Sequence, residues 1–148
     1  MNLDELKTMI KKDLEIDQTA LDTESSRTPQ IHNKYLVMYM DEKLKLKRME
    51  NELSVLRRNK WLYYTGRMSK EELDQHGWEP FELNILKNEA DQMIESDTDY
   101  IKASEKVNFQ QEKVNYLEDV VKIVNNRQWQ IRSIIDWLKF TQGVWWLT

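Results

Sequence analysis

Apolar residues recur along this chain at three- and four-residue spacings, the period of helices that bury one face. Leu3, Leu6, Ile10 and Leu14 predict a short amphipathic helix over residues 2–14. Asn2 suits its cap, and Asp4 and Glu5 suit its first turn. The polar stretch EIDQTALDTESSRT, residues 15–28, predicts an irregular segment. A long helix is then expected from Pro29, at the first helical position with Thr28 as cap, to the YYTG run ended by Gly66. Leu46, Met49, Leu53 and Leu56 are its packing seam. Ser69 followed by Glu72 signals a capping box for a short helix that stops at Gly77. Trp78, Pro80 and Phe81 make a corner, and another helix is expected from about Pro80 to about Ser96. Asp97 or Thr98 would cap the last helix.

That last helix carries the most regular pattern. Ala103, Val107, Gln110, Val114, Leu117, Val121, Val124, Gln128, Ile131, Ile135 and Leu138 alternate spacings of four and three, a coiled-coil-like seam with two polar interruptions. Asn125-Asn126 is a candidate kink or break. Packing inside one chain would produce the same pattern. Length argues for more: at ~1.5 Å per residue the second helix would run roughly 54 Å, whereas a compact globule of this size spans about 40 Å. The expectation is an all-α protein with two regions, a helical nucleic-acid-binding region over 1–96 and a C-terminal oligomerisation region over 97–148. Val114, Leu117, Val121, Val124, Ile131, Ile135 and Leu138 would join copies into a homo-oligomer. The terminal VWWLT adds two Trp that a small polar domain would not leave wet.

Composition supports helices and removes chemistry. Three Gly and two Pro in 148 residues leave few places for the turns a sheet needs. With no Cys, thiolate catalysis, disulfides and cysteine metal sites are excluded. His32 and His76 lack ligand spacing, and the three glycines are isolated, so no phosphate loop, metal centre or nucleophile–base pair is legible. The expectation is a non-enzyme without cofactor. The polar start MNLDELKTMIKK has no signal-peptide core, and no apolar run is long enough to span a membrane. A cytoplasmic protein follows.

Charge is distributed unevenly under a net value of -4. Residues 34–70 hold ten Lys/Arg against four Asp/Glu, and residues 71–106 hold three against eleven. The basic block culminates in LRRNKWLYYTGR, residues 56–67, with four basic residues, three aromatics and no acid. On a helical wheel Lys43, Lys47, Arg57, Arg58 and Trp61 fall within about a 100° arc well away from the seam. Tyr63, Tyr64 and Arg67 follow at the helix end. Cations that track phosphates beside rings that stack on bases are what single-stranded nucleic acid needs. Duplex DNA would need a groove-reading module, which is not visible. Lys60 conflicts with this picture, because the wheel points it along the apolar seam. The acidic block would face a protein partner or a neighbouring copy's basic stripe. The rival expectation is a structural or assembly coiled-coil protein that binds no nucleic acid.

The order and spacing of several segments resemble the UvsY recombination mediators of large tailed bacteriophages. LDEL, KKD, IDQTAL and NKYL match early on, and YYTGR is close to the family's Tyr-Tyr-Ser-Gly-Arg. NRQWQIRSIIDWLKFTQG keeps Arg127, Ile131, Ile134, Asp136, Phe140 and Gly143 at the family spacing. The resemblance implies a non-enzymatic accessory factor of recombination and repair in the bacterial host's cytoplasm. It implies a hexameric or heptameric ring that binds single-stranded DNA, loosens the phage single-strand-binding protein and helps a RecA-like phage recombinase load. The family's Leu-Lys-Ala-Arg-Leu run places its two basic positions on Arg58 and Lys60. Arg57 and Trp61 stand where leucines are expected, and Asn59 where Ala is.

Overall fold

The computed structural model describes residues 1–143, so the VWWLT end lies outside the described residues. Six helices follow one another: α1 (Leu3–Leu14), α2 (Leu21–Tyr64), α3 (Lys70–His76), α4 (Lys87–Glu95), α5 (Thr98–Asn125) and α6 (Arg127–Gln142). No strand occurs among the described residues, and no helix there is long and apolar enough to cross a membrane.

Local chemistry sets several ends. The Asn2 side chain accepts the Glu5 N–H at 2.8 Å, while the Glu5 carboxylate accepts the Asn2 N–H at 3.2 Å. This capping box starts α1 where the sequence placed it. At the end of α2, Gly66 takes φ 72°. That left-handed turn lets the Arg67 N–H reach back to the Leu62 carbonyl at 2.9 Å, closing the last turn. Ser69 caps α3 by accepting the Glu72 N–H at 3.2 Å.

Two expected boundaries move. α2 starts at Leu21, so the segment expected to be irregular is helical from there and Pro29 lies inside the helix. A distant residue is responsible. Arg127, buried at the start of α6, donates to the Glu24 carbonyl (2.6 Å), the Thr28 hydroxyl (2.9 Å) and the Glu15 carbonyl (3.2 Å), and pairs with the Glu24 carboxylate. Those bonds hold the first turns of α2 despite the donor that Pro29 lacks. Thr28 is not a cap; its hydroxyl bonds back to the Glu24 carbonyl. The helix expected from Pro80 starts only at Lys87, because residues 78–81 are drawn onto the α2 tyrosines. The long C-terminal seam is cut at Asn126 into α5 and α6, at the Asn125-Asn126 pair expected to kink or break it.

The chain forms two compact units, one of residues 1–43 with residues from 112 onward, the other of Leu44–Gln111. This partition does not follow the expected division at residue 96. The first unit has a core of Leu6, Ile10, Ile31, Tyr35, Leu117, Val120 and Val124. Asp13 secures it by accepting from Lys34 and from the Tyr35 hydroxyl, each at 2.6 Å. Of the seam residues assigned to self-association, Val114, Leu117, Val124 and Ile131 are buried within the chain, and Val121, Ile135 and Leu138 are half-buried. The outer face of α6 carries Trp129, Trp137 and Phe140, each about two-thirds exposed or more (67%, 64%, 71%). In the second unit Leu46, Ala90 and Ile94 are buried. Met49, Leu53 and Leu56 of α2 face Ala103 and Val107 of α5 across an open groove of about 380 Å³.

Candidate nucleic-acid interface

The end of α2 and the segments that fold back on it form the candidate site, entirely within the second unit. The predicted residues divide into three groups. Lys47, Arg58 and Arg67 are exposed. No ion pair engages them among the described residues. Trp61 is half-buried, and the Arg67 guanidinium lies 5.0 Å from its ring centre. At about 100° per residue, Lys47, Arg58 and Trp61 share one outward side of α2. These four present cations beside an accessible ring edge. Lys43 is also exposed and lies over Tyr39, but it belongs to the other unit.

Arg57, Tyr63 and Tyr64 are half-buried and engaged within the chain. Arg57 donates to Asp91 and to the Tyr100 hydroxyl, both at 3.3 Å. The Tyr100 bond, then the charges of Asp91 and Glu95, raise its pKa against a smaller opposing effect of burial. The Tyr63 hydroxyl donates to the Glu79 carbonyl at 2.6 Å. Its ring makes edge contacts with Tyr64 and Trp78 and a tilted contact with Phe81. The Tyr64 hydroxyl donates to Asp97, and burial with that bond pushes its pKa up. Both tyrosines are therefore parts of a packed aromatic corner rather than open stacking platforms.

Lys60 is the clearest departure from expectation. It is 3% exposed. Its ammonium pairs with Asp97 at 3.1 Å and Asp99 at 2.9 Å and sits 3.9 Å from the centre of the Trp78 ring. The wheel aimed Lys60 along the seam, and the structure places it there, with counter-ions supplied by the start of α5. The contact with DNA assigned to Lys60 is not available in this arrangement.

Three residues here were missed from the sequence. Asp97 caps α5 by accepting the Tyr100 N–H at 3.0 Å and also receives Lys60 and Tyr64. Burial pushes its carboxyl up, but bonds from Tyr64, the Tyr100 N–H and Lys60 outweigh it and hold the carboxyl below the usual range. Asp99 and Trp78 complete the enclosure. The only advance signal was Asp97 as a cap. Part of the acidic block thus pairs with the chain's own basic stretch. No group of three or more potential metal ligands occurs among the described residues.

Residues 9–144 match the family described as recombination, repair and ssDNA binding protein UvsY. The recombination protein uvsY of Enterobacteria phage T4 is 24% identical over 143 residues, covering 97% of this chain and 99% of that protein. Two crystal structures of the bacteriophage T4 recombination mediator protein UvsY share the fold. The type IV lattice gives a TM-score of 0.82 at 22% identity, covering 95% of this chain and 99% of that one. The type II lattice gives 0.82 at 23%, covering 97% and 99%.

Proposed function

Because the chain belongs to the UvsY family of recombination, repair and single-stranded-DNA-binding proteins, we propose that it is a non-catalytic recombination mediator. In this reading it binds single-stranded DNA through Lys47, Arg58 and Arg67, with Trp61 offering a ring edge to the bases. The observation that carries it is the exposed row of three unpaired cations beside a tryptophan in the second unit. Ion pairs and tyrosine packing consume the rest of the stretch, which leaves a small site per copy. A small site suits a factor that must compete with a single-strand-binding protein and then release the strand to a RecA-like recombinase. Self-assembly into a ring compensates, since several copies on one strand raise the effective concentration of each site. The exposed Trp129, Trp137 and Phe140 face of α6, with half-buried Ile135 and Leu138 beside it, favours assembly through the C-terminal helix. The acidic remainder, including exposed Glu71, Glu72 and Glu82, is free to meet a protein partner.

Anisotropy of a labelled single-stranded oligonucleotide, titrated across salt concentrations, tests the reading. Binding should weaken steeply as salt rises. Arg58→Ala should weaken it and lower the log–log salt slope by about 0.7, the share of one single-strand phosphate. No binding at low salt would reject the proposal.

A further inference from the structure

Lys60 lies in the middle of the basic stretch yet is withdrawn from solvent, and its surroundings account for why. The ammonium meets two carboxylates, Asp97 and Asp99, and a tryptophan face. Asp97 is itself almost covered and uses both oxygens. One accepts the Tyr100 N–H, and the other accepts Lys60 and the Tyr64 hydroxyl. Withdrawing Lys60 would leave Asp97 buried without its cation, a costly state. The enclosure is therefore a lock between the end of α2, the Trp78 corner and the start of α5. It also fixes rotation. Trp61 stands about 100° around the helix from Lys60, and Arg58 about 160° in the same sense. Holding Lys60 inward turns both of them outward.

We propose that Lys60 and Asp97 are positioning residues for DNA binding: their buried pair, beneath Trp78, holds the end of α2 so that Arg58, Trp61 and Arg67 face the strand. Lys60 itself touches no phosphate. This inference rests on the single-stranded DNA reading above.

The consequence runs against simple electrostatics. Asp97→Asn removes a negative charge near an anionic ligand and keeps an oxygen able to cap α5, since Asn caps as well as Asp. If only net charge mattered, the variant would bind DNA more tightly. As a positioning residue, Asp97 replaced by Asn should bind roughly fivefold to tenfold more weakly, within the range of coupled contacts. Lys60→Met should weaken binding by a similar factor while leaving the salt slope of the unmodified protein unchanged, because no phosphate contact is lost. The double variant Lys60→Met with Asp97→Asn leaves no buried charge unmatched and should bind better than either single variant.

The experiment measures oligonucleotide anisotropy across salt for the full chain and these three variants, with circular dichroism confirming helical content. Amide exchange over residues 60–67 should rise in both single variants. A Lys60→Met slope reduced by about 0.7, or an Asp97→Asn variant that binds more tightly, overturns the inference and returns Lys60 to the phosphate-contacting set. A single variant that loses its helical content is set aside for the double variant, and a double variant that binds no better than the weaker single also overturns it. Failure of the unmodified protein to bind overturns the DNA reading and this inference with it; the slope and charge outcomes overturn the inference alone.

Discussion

At the scale of residues, Asp97 divides one carboxylate between three donors, and this has a pH signature. The folded protein holds Asp97 ionised more firmly than the unfolded chain does. Its contribution to stability is fully present above the ordinary carboxylate range and is lost as pH falls through the lower folded value. Asp13, held down by Lys34 and Tyr35 against the upward push of burial, follows the same sign in the other unit. Thermal unfolding followed from neutral pH into acid should show a falling midpoint, and Asp97→Asn should remove part of that slope. An Asp97→Asn protein with the slope of the unmodified chain would show that other carboxylates carry it. The helical wheel anticipates exposure for Lys47 and Arg58 but not the half-buried, paired state of Arg57. The same wheel turns Lys60 inward. It could not supply Asp97, Asp99 or Trp78, which reach Lys60 from 18 to 39 positions away in the sequence. Nor could it show that Tyr63 and Tyr64 already have partners.

At the scale of elements, the helix ends separate the legible from the illegible in the same way. Asn2, Ser69 and Gly66 act on neighbours within a few residues, so their helices begin or stop where the sequence placed them. Leu21 is different. Helix α2 starts there because a guanidinium more than 100 positions later takes the Glu24 carbonyl, the Thr28 hydroxyl and the Glu24 carboxylate. Removing that guanidinium takes one of two cations from the buried Glu24, which keeps Arg27 at 2.7 Å, and strips the Glu15 carbonyl and the Thr28 hydroxyl of its bonds. Arg127→Ala should therefore destabilise the protein by about 1–3 kcal/mol, the cost of lost buried hydrogen bonds, read by urea unfolding. Amide protection should fall first over residues 21–28. A loss under 1 kcal/mol would mean that α2 holds its first turns by itself. The delayed start of α4 has a similar origin, since Phe81 packs at 5.0 Å on the Tyr64 ring and Trp78 on Tyr63. Aromatic packing outweighs the weak helical preference of a segment opened by Pro80.

At the scale of the whole molecule, the seam of alternating spacings was read correctly as a packing surface, but its partners were not readable. A heptad repeat does not say whether the facing helix belongs to the same chain. Here Leu6, Ile10, Ile31 and Tyr35 meet Leu117 and Val124 within it. Under the assembly proposed above, the exposed Trp129, Trp137 and Phe140 face of α6 is the surface offered to other copies. Replacing Trp137 and Phe140 by Glu should lower the mass found by sedimentation while circular dichroism stays unchanged, because both side chains are already wet. Ile131→Asp, by contrast, puts a carboxylate where only 2% of the side chain meets solvent, so it should lower the unfolding midpoint whatever the assembly state. An unchanged mass for the α6 variant would move the interface elsewhere.

The division of the chain into a contiguous unit and an interrupted one also has a schedule. A ribosome delivers Leu44–Gln111 as a single run, so that unit has all its parts when residue 111 emerges. The first unit has Leu6, Ile10, Ile31 and Tyr35 early but waits for Leu117, Val120 and Val124. At about 5–20 residues per second the wait from α1 to its last core partners is roughly 5–20 s. During that interval the apolar face of α1 has only half its cover. The nascent chain then carries a complete unit holding the proposed DNA interface ahead of the unit that still awaits its core, so under the function proposed above newly made protein would acquire its binding surface before its means of assembly.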